Sequence, residues 1–246
     1  MDSGRGLHSA VRCRTLCCAA AGMLCLLTLA ASGCATRAVS TVTDLHVLHA
    51  AGEFGGASGY PINSRMVVCS GHQFAGRIRA AAVEGVPMLV GNFVERMGLD
   101  RNDLATQDDW LVLLGTVDRF DTNIIDPTAL PGPGQRVVLG GLFLAGKKYT
   151  REQYWQIQPS IIEGTAIEAT TPAPEQVGLV LVAVPARDYG GFSGGPAATV
   201  GEDGEPRVFG TIVYQGYADT DAGRRFVLGV APLPADVLQR ALWRSY

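Results

Sequence analysis

Short apolar runs separated by turn residues dominate this sequence, and they restrict what it can fold into. The runs are rich in valine, isoleucine, leucine and aromatic residues, which the interiors of strands favour. Their positions are Met66–Cys69, Val86–Phe93, Trp110–Val117, Arg136–Leu144, Ile161–Ala169, Leu179–Val184, Val208–Tyr214 and Phe226–Val230. The 31 glycines and 13 prolines among the 246 residues supply turns between them. The pattern predicts an all-β protein.

A proline-rich stretch divides the apolar runs into two groups. Asp121–Gly134 contains an Asp-Pro pair and a Pro-Gly-Pro-Gly run, where the prolines prevent a continuing strand ladder. It predicts a connection between two β halves, which favours two packed antiparallel barrels or a pair of sandwiches. Helical periodicity is scarce. Ala235–Trp243 predicts a short C-terminal helix, and Asn92–Met97 is a weaker candidate.

The first 34 residues have the pattern of an export signal. Basic residues at Arg5, Arg12 and Arg14 precede an uncharged apolar run over Leu16–Ala31, and small residues follow up to Cys34. A basic start, a short apolar core and small residues before a cleavage point are typical of a secretory signal peptide. Because the small residues precede a cysteine, the segment resembles the bacterial lipobox, in which the cysteine is acylated and becomes the first mature residue.

The lipobox resemblance implies a lipoprotein signal peptide over residues 1–33 and a lipid on Cys34. Ala31 stands where the lipobox usually has leucine, so an ordinary signal peptide with a chance cysteine is the alternative. A transmembrane anchor is disfavoured, because the apolar run is shorter than the ~20 residues that a span needs. The resemblance implies a domain in the bacterial cell envelope, outside the cytoplasm, attached to a membrane through its lipid.

Removal of this signal changes the cysteine count and the charge. Of the six cysteines, four leave with residues 1–33, Cys34 carries the lipid, and Cys69 alone remains, so no internal disulfide is expected. The signal takes three of the 20 basic and one of the 23 acidic residues, which leaves a net charge of −5. A nucleic-acid partner therefore has no electrostatic support. We expect residues 34–55 to form a tether, with a possible first strand at Val42–Leu48, and residues 56–246 to form the folded domain.

Three segments carry residues that could do chemistry. Ser193 lies in a glycine-rich loop between two apolar runs, where glycine lets the backbone aim several N–H groups at one spot. A serine hydroxyl becomes a good nucleophile only when a base takes its proton. His72 follows a strand-like run beside small residues and is the candidate base. Asp109 precedes another run and is the candidate that orients the histidine, with Asp108 as the competing choice.

Two other histidines lie near the start of the mature chain. His46 and His49 are spaced as H-x-x-H, a spacing that could suggest a metal site. No further cysteine or histidine lies nearby to complete a ligand set, so no metal is predicted there.

Taken in order, the chemistry-bearing segments resemble the trypsin-like serine peptidases. The run at Val67–His72 resembles the family's V-V-T-A-[AG]-H, and Asp109–Leu114 resembles its D-x-A-[LV]-L block. Gly191–Pro196 resembles G-D-S-G-G-P, and Thr211–Gly216 resembles G-I-V-S-W-G. The order histidine, aspartate, serine is that of the family. The resemblance covers roughly Gly56 to Tyr246.

The resemblance implies a chymotrypsin-like fold and an endopeptidase mechanism that passes through an acyl-enzyme. Ser193 would attack the scissile carbonyl, His72 would act as general base and then acid, and Asp109 would fix the tautomer of the histidine. The backbone N–H groups of Gly191 and Ser193 would bind the oxyanion. The implied partner is a polypeptide substrate. No metal or organic cofactor is implied, because such a triad is self-sufficient.

The resemblance also places a specificity pocket and exposes two departures from the family. Tyr214 and Gly216 would flank the pocket. Phe192 stands where animal enzymes carry an aspartate that pairs with a freed amino terminus during activation. Its presence fits a bacterial member that needs no such activation, or an inactive relative that serves as a binding or scaffold protein. Gln73 replaces a common cysteine, consistent with the absence of a disulfide. An unrelated β-rich envelope lipoprotein is the remaining alternative.

Overall fold

A computed structural model of this chain describes residues 44–51, 56–74, 81–90, 108–116, 118–144 and 147–235. Most regular structure within these ranges is β-strand. The strands are β1 (Leu48–Ala51), β2 (Gly56–Pro61), β3 (Met66–Cys69), β4 (Ala81–Val83), β5 (Val86–Val90), β6 (Leu111–Leu114), β7 (Ile124–Ile125), β8 (Arg136–Leu142), β9 (Pro159–Ile167), β10 (Val180–Ala183), β11 (Pro196–Val200), β12 (Pro206–Thr220) and β13 (Gly223–Pro232). Helical structure in the same ranges includes α1 (Arg151–Tyr154) and 3-10 turns at Gly71–Phe74 and Pro174–Gln176. The predicted all-β class is confirmed.

Six antiparallel strands close the first barrel. Their order is β1-β2-β3-β6-β5-β4, and pairing of β1 with β4 completes the ring. Val67 of β3 and Leu113 of β6 pack inside this barrel, whereas Val68 packs with Val138 and Val208 of the other half of the chain. Because β3 is buried on both faces, its sequence is a continuous apolar run rather than an alternation of apolar and polar residues.

Six further antiparallel strands close the second barrel. Their order is β8-β9-β10-β13-β12-β11, and β11 pairs with both β12 and β8 to complete the ring. β7 adds to β12 in parallel, outside the ring. The buried interior includes Val137, Leu139, Val182, Phe209 and Leu228. Two packed, closed antiparallel barrels define the chymotrypsin-like fold, so the predicted architecture is confirmed.

The first barrel takes its first strand from residues 34–55, where the sequence predicts a tether with a possible strand at Val42–Leu48. The next strand, β2, is rich in glycine, which strands disfavour. Gly59 in β2 is favoured by close packing, since a side chain there would start 3.0 Å from Val67 Cγ1 and from Val68 O. Pairing across the closed barrel therefore outweighs the weak local preference of these residues for strand.

Several predicted features lie outside the described residues. They are the signal peptide over residues 1–33 with Cys34, the helix candidate at Asn92–Met97, and the C-terminal helix beyond Ala235. In the ranges that the structure describes, no helix has the length and apolar character needed to cross a membrane.

Candidate active site

Strand pairing in the first barrel brings His72 and Asp109 together. β3 and β6 are antiparallel, and Cys69 at the end of β3 lies opposite Leu111 at the start of β6. Residues just after β3 therefore lie beside residues just before β6. The 3-10 turn after β3 carries His72, and its Gly71 N–H donates to Asp109 O at 3.3 Å.

The Asp109 carboxylate holds the histidine at two points. Oδ1 accepts from the His72 backbone N–H at 2.6 Å, and Oδ2 lies 2.5 Å from the ring Nδ1. Because an ionised carboxylate only accepts hydrogen bonds, Nδ1 carries the proton and the Nε2 lone pair is left to take another. The Asp109 side chain is 7% exposed and that of His72 is 31% exposed. Of the two candidate acids, Asp109 makes these bonds, and it orients an accessible base.

Cys69 belongs to the core of the first barrel and is not a competing nucleophile. Its side chain is fully buried and packs with Val67 and Leu111. Burial raises the pKa of the Cys69 thiol, and the nearby negative charge of Asp109 raises it further. The thiolate is the reactive form of cysteine, so a thiol kept neutral is inert.

Ser193 lies in the nucleophile loop, residues 189–195, whose glycines are required by close packing. A side chain at Gly191 would start 2.2 Å from a carbonyl oxygen of β8. Gly194 has a φ of +83°, and a side chain there would start 2.1 Å from Ser58 O in the first barrel. Only glycine tolerates both conditions at this position. The loop therefore packs tightly between the two barrels, and a side chain at either glycine would not fit.

The backbone N–H groups of the nucleophile loop fall into two sets. Acceptors are present for the N–H groups of Tyr189, Gly190, Phe192, Gly194 and Gly195. Among the described residues, the N–H groups of Gly191 and Ser193 have no acceptor. Most N–H groups of this loop are paired within the protein, so the two without an acceptor are the ones left to bind a ligand. They are the donors that the sequence predicts for an oxyanion.

Phe192 anchors the loop between these two N–H groups. Its side chain is fully buried, with ring centroids 4.7 Å from Phe143 and 5.2 Å from Tyr189. A side chain at Gly141 would start 2.4 Å from the Phe192 ring, so β8 is shaped to receive it. Aromatic packing therefore holds this part of the loop.

The nucleophile loop lies beside the histidine segment. Gln73, which follows His72, donates from Nε2 to Ser193 O at 2.8 Å, and the Ser58 N–H donates to the same oxygen at 3.0 Å. Within the described residues no hydrogen bond joins Ser193 Oγ to the His72 ring. Such bonds are often long before substrate binds. The structure thus brings the three predicted triad residues into one neighbourhood, with the serine–histidine bond not formed.

The residues predicted to flank the pocket lie on β12, next to the nucleophile loop. The ring of Tyr214 covers Gly216, where a side chain would start 2.1 Å from the Tyr214 hydroxyl. Gln215 lies between them and faces the other side of the strand. Its Oε1 accepts from the Tyr189 N–H at 2.9 Å. The side chain of this segment that reaches the loop is therefore that of Gln215.

His46 and His49 make contacts inside the first barrel region. The His46 N–H donates to Asn123 Oδ1 at 2.9 Å, and His49 Nδ1 lies 2.9 Å from Glu84 Oε1. In the described part of the chain, no group of three or more histidine, cysteine, aspartate or glutamate side chains could hold a metal ion.

Two residues of this site carry no signal in the sequence. Ser58 Oγ donates to Gly191 O at 2.7 Å, although 133 residues separate them along the chain. Gln215 bonds a loop residue 26 positions earlier. Ser58 lies in no motif, and the packing of the two barrels brings it to the loop. Gln215 lies inside the Thr211–Gly216 motif, but the motif does not single out its side chain, and the pairing of β11 with β12 places it beside the loop.

Comparisons with known proteins find distant structural similarity. No family model and no curated protein matches the sequence. An inactive form of the Rv3671c protein of M. tuberculosis is 17% identical with a TM-score of 0.49, covering 85% of this chain and 90% of that chain. The active form of the Rv3671c protease is 18% identical with a TM-score of 0.48, covering 78% and 79%. The MamO protease domain of Magnetospirillum magneticum is 18% identical with a TM-score of 0.46, covering 82% and 98%. At these values the similarity does not place the chain in a family.

Proposed function

We propose that this protein is a trypsin-like serine endopeptidase that is exported and attached to a membrane by a lipid on Cys34. The observation that carries the proposal is the pattern of unpaired N–H groups in the nucleophile loop. The donors of Gly191 and Ser193 are left free beside a histidine that a buried carboxylate orients. Backbone donors without a partner in the protein, next to a candidate nucleophile, are the groups that stabilise an oxyanion in acyl transfer.

The chemistry follows from these groups. His72 Nε2 takes the proton of Ser193 Oγ while that oxygen forms a bond to the scissile carbonyl carbon, and the carbonyl electron pair moves to its oxygen. The Gly191 and Ser193 N–H groups stabilise that oxyanion, each by about 2.7–4 kcal/mol in comparable sites. The C–N bond then breaks as His72 returns the proton to the leaving amine. Water repeats the sequence on the acyl-enzyme and releases the acid.

A second candidate function is that of a binding protein built on the same fold. Two observations favour it. No hydrogen bond joins Ser193 and His72 side chains in the described residues, and Phe192 departs from the residue that active animal enzymes carry. A protein of this kind would bind polypeptides without cleaving them.

Reaction with a fluorophosphonate probe separates the two candidates. The purified full chain should become labelled on Ser193, and Ser193→Ala should abolish labelling, because only an activated serine attacks such a probe. Ser160→Ala, a serine on β9 outside the site, should leave labelling unchanged. Folded wild-type protein that stays unlabelled would contradict the peptidase and favour the binding protein.

Lipid attachment is tested separately. The chain with Cys34→Ser should lose incorporation of a palmitate analogue in bacteria, and it should leave the membrane fraction. Cys25→Ser, inside the predicted signal, should keep both properties. Continued labelling of the Cys34→Ser chain would show that the lipid, if any, is elsewhere.

A further inference from the structure

Two side chains of the first barrel bond the carbonyl groups of the nucleophile loop. Ser58 Oγ donates to Gly191 O at 2.7 Å and accepts from the Leu142 N–H at 3.0 Å. Gln73 Nε2 donates to Ser193 O at 2.8 Å. We call Ser58 and Gln73 the polar clamp. The polar clamp joins the first barrel to the carbonyl oxygens of Gly191 and Ser193, the two loop residues whose N–H groups are unpaired.

The clamp fixes two peptide planes at both of their ends. In a trans peptide the C=O and the following N–H point in opposite directions. In the peptide plane between Ser193 and Gly194, the Ser193 carbonyl oxygen accepts hydrogen bonds from Gln73 Nε2 and from the Ser58 N–H. The Gly194 N–H of the same plane donates to Ile212 O at 2.7 Å. In the peptide plane between Gly191 and Phe192, the Gly191 carbonyl oxygen accepts from Ser58 Oγ, and the Phe192 N–H donates to Tyr189 O at 2.8 Å.

The peptide between these two planes supplies the Ser193 N–H. Its carbonyl, Phe192 O, accepts from the Gly195 N–H at 2.9 Å. Rotation of this peptide by a half-turn would replace the Ser193 donor with a carbonyl oxygen, which repels an oxyanion. The Gly195 bond sets the rotation of this peptide, whereas the clamped planes on either side hold the Phe192 and Ser193 Cα atoms that the peptide joins. The clamp therefore fixes the position of the Ser193 N–H.

One polar atom of the Gln73 side chain is buried in an unfavourable environment. Its Oε1 is buried and has no hydrogen-bond partner among the described residues. Burial of an unpaired amide oxygen is unfavourable, and an apolar side chain of similar size would fill the same space without that penalty. The amide is therefore explained by its donor, which bonds Ser193 O, rather than by packing alone.

We propose that Ser58 and Gln73 are positioning residues, which keep the Gly191 and Ser193 N–H groups aimed at the reacting carbonyl. The proposal rests on the proposed peptidase function for its catalytic consequence. It rests on the hydrogen bonds alone for its structural consequence. Loss of either side chain should slow phosphonylation of Ser193 by a fluorophosphonate while leaving the affinity for that probe unchanged.

The test uses the purified full chain with Gln73→Met, which keeps the size of the side chain and removes its donor, and with Ser58→Ala. The control is Gln135→Met, which removes a glutamine bond to the Gly132 N–H in the linker between the barrels. Saturation kinetics with the fluorophosphonate give a maximal rate and a half-saturating concentration. We expect the maximal rate to fall about tenfold or more in both clamp variants, as loss of an aligned oxyanion donor does. The half-saturating concentration and the control should be unchanged.

Amide hydrogen exchange, resolved by NMR, supplies a readout that does not depend on activity. The Phe192 and Gly194 amides should exchange faster in the clamp variants and at the wild-type rate in the control. Wild-type rates of phosphonylation, or wild-type exchange, in folded variants would overturn the proposal. If one variant does not fold, the other decides. If the wild-type chain is inert to the probe, the proposed function fails, and exchange alone decides whether the clamp exists.

Discussion

Two histidine–carboxylate pairs occur in the first barrel, and they are built alike. In each, the carboxylate accepts from the backbone N–H of the histidine at 2.6 Å and also contacts its Nδ1. They differ in which partner is buried. His72 is 31% exposed and Asp109 is 7% exposed, whereas His49 is 5% exposed and Glu84 is 34% exposed. In the His72–Asp109 pair the carboxylate is buried and the imidazole is partly exposed. In the His49–Glu84 pair the imidazole is buried and the carboxylate is partly exposed.

This reversal decides what each pair can do. The Nε2 of His49 is buried without a hydrogen-bond partner among the described residues, and the rings of Tyr154 and Trp155 enclose the imidazole at 5.2 and 5.9 Å. A nitrogen that neither solvent nor substrate can reach cannot pass protons. The His49 pair instead ties β1 to the turn between β4 and β5. Hydrogen bonding to a carboxylate does not by itself leave a histidine able to exchange protons, and the exposure of the imidazole is what separates the two pairs.

The largest expected effect comes from removing each histidine in turn. His72→Ala should abolish turnover, with a loss of about 10⁶-fold by analogy with other triads, because it removes the base proposed to take the Ser193 proton. His49→Ala should leave the rate of the folded protein unchanged. Phosphonylation rates of the two variants, each corrected for folded fraction, make the measurement. A comparable loss of activity in both variants would mean that the comparison of the pairs is wrong.

The acids should differ in the same sense but by less. Asp109→Asn should slow acylation by about 10⁴-fold, since an amide can donate to Nδ1 and so favours the wrong tautomer of His72. Glu84→Gln should not change acylation. Both variants are close in size to the parent residue, so thermal unfolding provides the control for folding. Full activity of Asp109→Asn would show that Asp109 does not set the tautomer.

The sequence predicts the first pair and misses the second for a physical reason. His72 and Asp109 each flank an apolar run, and because those runs form neighbouring antiparallel strands, a local pattern is enough to bring them together. His49 lies in a segment that reads as a tether, and its partner Glu84 lies in a hairpin turn 35 residues away. Nothing in the local pattern of either residue indicates burial.

The same limit applies to the nucleophile loop. The glycines around Ser193 predict an unusual backbone, and packing between the barrels explains why they are needed. The bonds from Ser58 and Gln73 join positions 133 and 120 residues apart, and they depend on how the two closed barrels face each other. The apolar pattern of the sequence predicts the strands that pair within a barrel. It does not predict polar contacts between the two barrels.

Stability should depend on the His49–Glu84 pair. His49→Ala should lower the free energy of unfolding by about 2 kcal/mol, because it removes a buried ring and leaves Glu84 without its partner. His46→Ala, a half-buried neighbour whose backbone bond to Asn123 is retained, is the matched control and should cost less. Urea unfolding at pH 7 measures both. An equal loss in the two variants would show that the His49–Glu84 contact adds nothing to the free energy of unfolding.

The smallest effect should be the pH dependence that Glu84 adds. Partial burial raises the pKa of the Glu84 carboxyl, but hydrogen bonds from the His49 ring and backbone outweigh burial, and the pKa lies below its ordinary value of 4.5. A carboxyl whose pKa is lower in the folded state binds fewer protons there than in the unfolded chain, so it stabilises the fold above pH 4.5. That contribution is lost as the pH falls through the folded pKa.

Glu84→Gln should therefore be less stable than wild type at pH 7, and the difference should shrink below pH 4.5. We expect about 1 kcal/mol at pH 7, because the carboxylate is about a third exposed and glutamine can still accept from the His49 N–H. Glu84 also has a φ of +49°, a strained conformation that glutamine would inherit, so backbone strain cancels in the comparison. Urea midpoints at pH 7 and at acid pH give the two differences. A difference that stays constant with pH would show that the carboxylate charge does not hold His49, and the resemblance between the two pairs would then be geometric only.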